Sequence, residues 1–368
     1  MELKLSKSRT KQSQITEYMR ERILTETFES GSRLPSARHL AKEWGIPEVT
    51  VHRALSALVK EGLIIRKPKM GTIINPSQNK LSTVAIYVKQ DLRHPASDFI
   101  RMIVGFIEEE LRLCDIDSRI VMESSEGSSL QYIAELAEKR QIQGLIVPML
   151  DDAVYNTISK FPVPFSCMTT DKIKNRLLHY DKPLIDLTMD AFKRSGCRKI
   201  GMVSSLIKFT EKPKHYNELS MYNFYKYFEE KCKENGFDLR DEWIYAPESE
   251  DADGHGVPPS GYTLFAFNGF NKIWQNEEKP DGLFIQAEGF ITGLILAVMA
   301  KKLNIPDELA LVFHRKKEDL NPCPLPCFFV EDSAKEMAKD LVDLIKDQFY
   351  GRTVELKRPT YILKEHKV

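Results

Sequence analysis

The sequence lacks any apolar run of the roughly 20 residues that a membrane-spanning helix needs, so no membrane partner is expected. Its first ten residues, Met1-Glu-Leu-Lys-Leu-Ser-Lys-Ser-Arg-Thr10, lack the apolar stretch and small-residue cleavage site of a secretory signal. A cytoplasmic chain is expected. Cysteine is sparse, with six in 368 residues, and in an unexported chain these read as reduced thiols. Gly-x-Ser-x-Gly, His-Glu-x-x-His, Gly-x-Gly-x-x-Gly and phosphate-loop patterns are absent, so neither an enzyme nor a cofactor is expected. Cys323-Pro-Leu-Pro-Cys327 has no second Cys pair or His cluster to complete a zinc site, and no metal is expected. The acidic stretch Glu248-Ser-Glu-Asp-Ala-Asp-Gly254 lacks the spacing of a calcium loop and reads as a solvated loop.

Net charge is absent too. The 53 Lys+Arg balance 53 Asp+Glu, which taken alone argues against a nucleic-acid partner. The balance is a cancellation. Residues 1–80 carry 15 basic residues against eight glutamates and no aspartate, a net of +7, and the remainder carries −7. Such asymmetry points to a basic, nucleic-acid-binding head on an acidic body.

Within the head, Ile15, Tyr18, Met19 and Ile23 fall at helical spacing over 13–27. Ser36 is placed to cap a short helix ending near Trp44, with Gly45 as its stop. Pro47 suits the first turn of a third helix, residues 48–61, in which Val51, Ala54, Leu55, Leu58 and Val59 make one apolar stripe. Two strand-like runs, 63–66 and 72–75, follow around Lys67-Pro-Lys-Met-Gly71. Three helices and a hairpin wing present one helix to a major groove about 12 Å wide. The polar face of that helix offers Thr50, His52 and Arg53 near its start, the end that meets base edges. Arg38 lies where it can reach a phosphate or a guanine edge. Lys67 and Lys69 suit phosphate or minor-groove contact, and Gly71 permits a tight wing turn. Arg33 and His52 also fit plain surface positions, and a basic helical module could bind protein instead.

Gly31-Ser-Arg-Leu-Pro-Ser-Ala-Arg-His-Leu-Ala41, Trp44-Gly-Ile46, Thr50-Val-His-Arg-Ala-Leu55, Leu58, Glu61-Gly-Leu-Ile64 and Gly71-Thr72 closely resemble the GntR family of bacterial winged helix-turn-helix regulators. The likeness covers about residues 10–76. In that family the Arg after Leu-Pro-Ser, the Thr-Val-Arg triplet and the wing glycine contact DNA, which Arg38, Thr50 and Gly71 match here. With the residues read directly from the sequence, the DNA-contacting candidates are Arg33, Ser36, Arg38, Glu48, Thr50, His52, Arg53, Lys67, Lys69 and Gly71. Two positions depart from the family: Pro47-Glu48 replaces its usual Ser-Arg, and His52 its Arg. Glu48 cannot bind phosphate but can accept from a cytosine amino group, so an atypical operator is expected.

Beyond a polar linker at 77–80, residues 81–368 alternate strands and helices, the pattern of a doubly wound parallel sheet. Strands are expected near 84–88, 144–148, 199–203, 281–285, 309–313 and 360–363. Helices are expected near 97–113, 129–140, 184–195, 223–235, 289–303 and 333–349. So long a body implies two lobes. Val84-Ala-Ile-Tyr-Val88, Gln143-Gly-Leu-Ile-Val147, Arg194-Ser-Gly-Cys-Arg-Lys-Ile200, Lys279-Pro-Asp-Gly-Leu-Phe-Ile285 and Leu303-Asn-Ile-Pro-Asp307 resemble, in that order, the LacI/GalR regulators and the related periplasmic sugar-binding proteins. The resemblance implies an α/β fold: a winged helix-turn-helix joined to a two-lobed, doubly wound, periplasmic-binding-protein-like domain. Crossovers between lobes are expected near 197, 322 and 352, with ligand held between the lobes at the strands' carboxyl ends.

Asp91, Asp181, Tyr222 and Glu288 are the effector-binding candidates, with Phe209 and Tyr216 as further stacking faces. Carboxylates beside aromatic rings suit a sugar, whose hydroxyls need partners once desolvated. Core packing for the aromatics, and a helix-start carboxylate for Glu288, are the alternatives. The Arg that the family uses to grip ligand has no counterpart near Ser220-Met221-Tyr222. The whole reads as a regulator, repressing by preference, that binds an operator in double-stranded DNA as a homodimer under control of a small ligand, a sugar for preference. The alternative is a body that only dimerises and no longer senses ligand. An enzyme fused to a regulator head, the third class, finds no cofactor-lysine motif here.

Overall fold

The computed structural model of the chain describes residues 10–24, 28, 31–68, 70–75, 80–93, 97–124, 127–150, 152–169, 176–178, 182–213, 216–247 and 261–368. It divides into two units, Met1–Ser82 and Thr83–Val368.

In the first unit, α1 (Lys11–Leu24), α2 (Ala37–Trp44) and α3 (Glu48–Lys60) enclose a core that includes Ile15, Met19, Leu40, Val51, Leu55 and Leu58. Ser36 caps α2 as expected: its Oγ accepts from the His39 N–H at 3.2 Å. Strands β1 (Ile64–Lys67) and β2 (Gly71–Ile74) pair antiparallel, with Lys67 opposite Gly71. The chain at 32–34 joins them, since Leu34 N–H donates to the Thr72 carbonyl and Ile74 N–H to that of Ser32, each at 2.9 Å. At the far end of α3, Glu61 receives Arg20 of α1 with both carboxylate oxygens, at 2.7 and 3.0 Å.

The second unit has two parallel sheets. One lobe carries β3 (Thr83–Val88), β4 (Asp117–Met122), β5 (Gly144–Val147), β6 (Phe165–Thr169) and β7 (Arg176–Leu178), in the order β4-β3-β5-β6-β7. Its helices are α4 (Asp98–Leu113), α5 (Ser129–Glu138) and α6 (Asp152–Ile158). The other lobe carries β8 (Lys199–Val203), β9 (Asp238–Tyr245), β10 (Gly282–Ile285), β11 (Ala310–Lys316), β12 (Cys327–Asp332) and β13 (Ile362–His366). Their order is β13-β12-β11-β10-β8-β9, with only β13 antiparallel. Its helices are α7 (Lys182–Arg194), α8 (Tyr216–Glu234), α9 (Gly261–Trp274) and α10 (Ile291–Lys301). The last helix, α11 (Ala334–Phe349), packs back on α4, β5 and β6 of the first lobe.

The chain thus changes lobe three times, between β7 and α7, between β12 and α11, and between α11 and β13. The third crossover matches the expectation near 352; the other two correct it. The change expected near 197 comes before α7, because Leu184, Ile185, Met189 and Phe192 pack with Ile200, Met202, Val312 and Val330 of the second sheet. The change expected near 322 comes after Asp332. The proline-rich stretch 322–326 is the connection from β11 to β12 within one lobe.

Helices α9 and α10 approach so closely that a Cβ on Gly293 would stand 2.0 Å from the Thr263 carbonyl oxygen. A backbone atom cannot swing aside as a side chain does. Gly293→Ala is therefore expected to cost about 1–3 kcal/mol, read as a lower urea midpoint of the full chain. An unchanged midpoint would show that the helices separate freely.

Candidate functional site

Helix α3 buries Val51, Ala54, Leu55 and Leu58 and turns Glu48, Val49, His52 and Arg53 to solvent, with Thr50 half-buried between them. Glu48 stands in the first turn, where the helix dipole favours an anion. Arg38 is exposed in the first turn of α2. Ser36 is exposed, with its hydroxyl engaged as the cap. Arg33 lies over the wing. It bridges to Ile73, and Gly71, at φ +86°, leaves room for its guanidinium, since a Cβ there would be 3.1 Å from Arg33 Nε. Lys67 is exposed at the start of the wing turn, and Lys69 lies outside the described residues. Sequence reasoning missed Arg66. This exposed side chain donates to Ser56 Oγ at 3.1 Å, and that hydroxyl donates to the His52 carbonyl at 2.8 Å. The wing, close to its turn, is thereby fastened to α3. Its place at the head of the basic run Arg66-Lys67-Pro-Lys69 was the available signal.

In the second unit, both sheets reverse strand order at one point, between β3 and β5 and between β8 and β10. Open α/β sheets bind ligands outside the carboxyl ends of strands at such points. At the second of them Gln286, wholly buried after β10, accepts through Oε1 from Ser204 Oγ and from the N–H and Oγ of Ser205, each at 3.0 Å. Its buried Nε2 has no hydrogen-bond partner among the described residues.

Glu288 opens a short 3₁₀ turn, Glu288–Phe290, immediately beyond. Burial pushes the Tyr262 phenol up, and the nearby carboxylates of Glu288 and, from α4 of the other lobe, Asp98 push it further. Asp98 belongs to one lobe and Tyr262, on α9, to the other. Lys316 crosses the same divide, its ammonium 4.9 Å from the Phe99 ring centre.

Register explains the charges at the ends of β11 and β12. Lys316 pairs with Asp332 and Arg315 with Glu331, and alternation sends the two pairs to opposite faces. Lys316 Nζ lies 2.8 Å from both Asp332 oxygens, with Lys316 1% and Asp332 0% exposed. His314 Nε2 approaches the same carboxylate at 3.4 Å, and its Nδ1 donates to the Gln286 carbonyl at 3.2 Å. Burial alone would raise the Asp332 carboxyl, but Lys316 and His314 hold it well below the usual carboxylate range.

The other candidates are scattered. The Asp91 carboxylate is exposed and taken by Arg93, whose backbone N–H donates at 2.9 Å and whose guanidinium donates at 2.8–3.2 Å. Tyr222 lies more than one turn into α8, half-buried with Lys226 Nζ 5.6 Å from its ring centre. Phe209 is half-buried in the loop after β8. Asp181, the Tyr216 side chain and the acidic stretch 248–254 lie outside the described residues. Among the described residues, no cluster of three His, Cys, Asp or Glu could hold a metal ion, and no helix is long and apolar enough to cross a membrane.

Comparison with known proteins agrees with this division. Residues 11–74 match the family model of bacterial regulatory proteins of the gntR family, and residues 189–363 match a periplasmic binding protein-like domain. The HTH-type transcriptional regulator Rv0792c of Mycobacterium tuberculosis is 32% identical over 71 residues, which are 19% of this chain and 26% of that protein. The chain spans about a quarter of the length of the curated relatives it matches. A LacI family transcriptional regulator from Bifidobacterium animalis superposes with TM-score 0.60 at 13% identity, over 77% of this chain and 96% of that one. A LacI family regulator from Lactobacillus casei with bound glucose gives 0.53 at 16%, over 77% and 98%. The chain therefore carries a GntR helix-turn-helix domain at its N-terminus. Behind it stands a periplasmic-binding-protein-like domain with the fold of the LacI-family regulators.

Proposed function

We propose that the protein is a cytoplasmic transcriptional repressor that binds a near-palindromic operator as a homodimer and changes its operator affinity when a small ligand, a sugar, occupies the cleft between the lobes of its body. The observation that carries this reading is the union in one chain of a GntR-type head with a binding-protein-like body. One small head buries too little surface for a specific site, so two half-sites held together supply the affinity. Ligand alters DNA binding only through unequal affinity for two states of the body. The carboxylate of Glu288, which helps push the Tyr262 phenol up, suits a hydroxyl donor, and glucose sits in one LacI-family neighbour.

A thermal-shift screen with mono- and disaccharides tests this. A sugar at a hundred times its Kd is expected to stabilise the body by about 2.7 kcal/mol. Glu288→Gln should lose at least part of that stabilisation at the same sugar concentration while leaving sugar-free DNA affinity unchanged. A full response in Glu288→Gln would remove Glu288 from the site. Asp91 with Arg93, and Lys316 with Asp332, satisfy one another internally, which favours a second reading: a body that only dimerises. No response to any sugar at millimolar concentration would support it.

A further inference from the structure

We propose that Cys323 and Cys327 form a reactive dithiol that a hydroperoxide closes to an intramolecular disulfide, giving the body a second chemical input separate from the cleft. None of the six cysteines is in a disulfide, and these two have their sulfurs 3.8 Å apart. Cys323 is half-buried in the loop joining β11 and β12. Cys327 is buried as the first residue of β12. Cys323 is thus the more accessible of the two.

The surroundings suit that division. The hydrogen bond from Cys327, with smaller help from the Leu325 backbone and the Arg315 guanidinium, holds the Cys323 thiol down at about 6 against the opposing effect of burial. Sharing that hydrogen and burial push Cys327 upward. His366, opposite Cys327 in the β12–β13 register, lies with Nε2 2.8 Å from the Cys323 carbonyl oxygen. Pro322, Pro324 and Pro326 have no N–H, so the loop has few backbone hydrogen bonds to give up as the sulfurs close by roughly 1.8 Å to bond length. The remaining cysteines serve as controls. Burial pushes Cys197 and Cys232 up to about 12, Cys167 is buried, and Cys114 is half-buried 3.6 Å from Lys346 Nζ.

The chemistry balances in two steps. The Cys323 thiolate attacks the distal oxygen of the hydroperoxide; an S–O bond forms, the O–O bond breaks, and the leaving alkoxide or hydroxide takes up a proton. The Cys327 sulfur then attacks the Cys323 sulfenic sulfur, forming S–S and releasing water with the Cys327 proton. Two molecules of a small thiol restore the dithiol and become one molecule of small disulfide.

Peptide mapping of the full chain after exposure to hydrogen peroxide at pH 7, with remaining thiols blocked, tests the proposal. The expected product links Cys323 to Cys327, lowers free thiols from six to four, reverts with dithiothreitol, and forms about tenfold faster than Cys114 oxidises. Cys327→Ser should leave a Cys323 sulfenic acid that dimedone traps, and Cys323→Ser should leave Cys327 unreactive. The wild-type map decides the matter even if a variant fails to fold. Cys323 and Cys327 both surviving as thiols while Cys114 oxidises would overturn the proposal. So would Cys323 linking to another molecule in place of Cys327.

Discussion

Asp332→Ala is expected to destabilise the second unit by about 3–5 kcal/mol, because it leaves the Lys316 ammonium buried without its counterion. Lys316 is 1% exposed and makes two 2.8 Å contacts to the carboxylate, so water cannot take over the lost partner. His314 loses the same neighbour. The damage also falls at a crossover between lobes. Asp332 is followed by Ser333, which caps α11, and by Ala334, whose N–H donates to Glu318 at 3.0 Å. Urea denaturation of the full chain measures the loss. Lys316→Met alone should be comparably harmful, whereas Lys316→Met with Asp332→Leu should recover most of the stability, since a buried pair replaced by apolar groups is often neutral. Additive losses in the double variant would show that the pair is not the unit of stability. The pH dependence has a fixed sign. A carboxyl held below its unfolded pKa contributes its full stabilisation above about pH 4 and loses it as pH falls through the folded pKa. Asp332→Ala should remove that part of the acid sensitivity.

Arg38→Ala is expected to weaken specific DNA binding by about 1–3 kcal/mol for each head, or roughly 5- to 150-fold, with the losses adding across a dimer. The exposed guanidinium stands two residues beyond the α2 cap, at a helix start fixed by Ser36. A phosphate contact would weaken all sequences alike and flatten the salt dependence. A guanine contact would instead relax preference at one base pair. Gel-shift titration at two salt concentrations separates these cases, and unchanged affinity at both would remove Arg38 from the interface. The body's response to ligand should persist in this variant.

The head was legible because its signals are local. Ser36 and the apolar stripe of α3 each act within a few residues, and the three helices and the wing lie within a few positions of where their sequence puts them. The body was legible only in part. Its inner strand 84–88 is a continuous apolar run, whereas the edge strand β4 is largely exposed and β9 mixes exposed, half-buried and buried residues with no clean alternation. Helix α9 is apolar on most sides and shows no polar face to mark it. The charges of Glu331 and Asp332 hid the strand β12 that carries them. The cleft cluster was illegible for a related reason. His314, Lys316 and Asp332 look like surface charge until the β11–β12 register places Lys316 opposite Asp332. Asp91 shows the converse, since the arginine two residues on that takes up its carboxylate was in plain view.

The central claim, that this head reads a specific DNA site under control of the body, is tested most directly by quantitative footprinting of the full chain on chromosomal fragments, with and without a sugar that stabilises it. The expected result is protection of a near-palindromic site with Kd of about 10⁻⁸–10⁻¹¹ M, shifted when the sugar is added. Equal protection of every fragment at about 10⁻⁴–10⁻⁶ M, unmoved by any ligand, would contradict it.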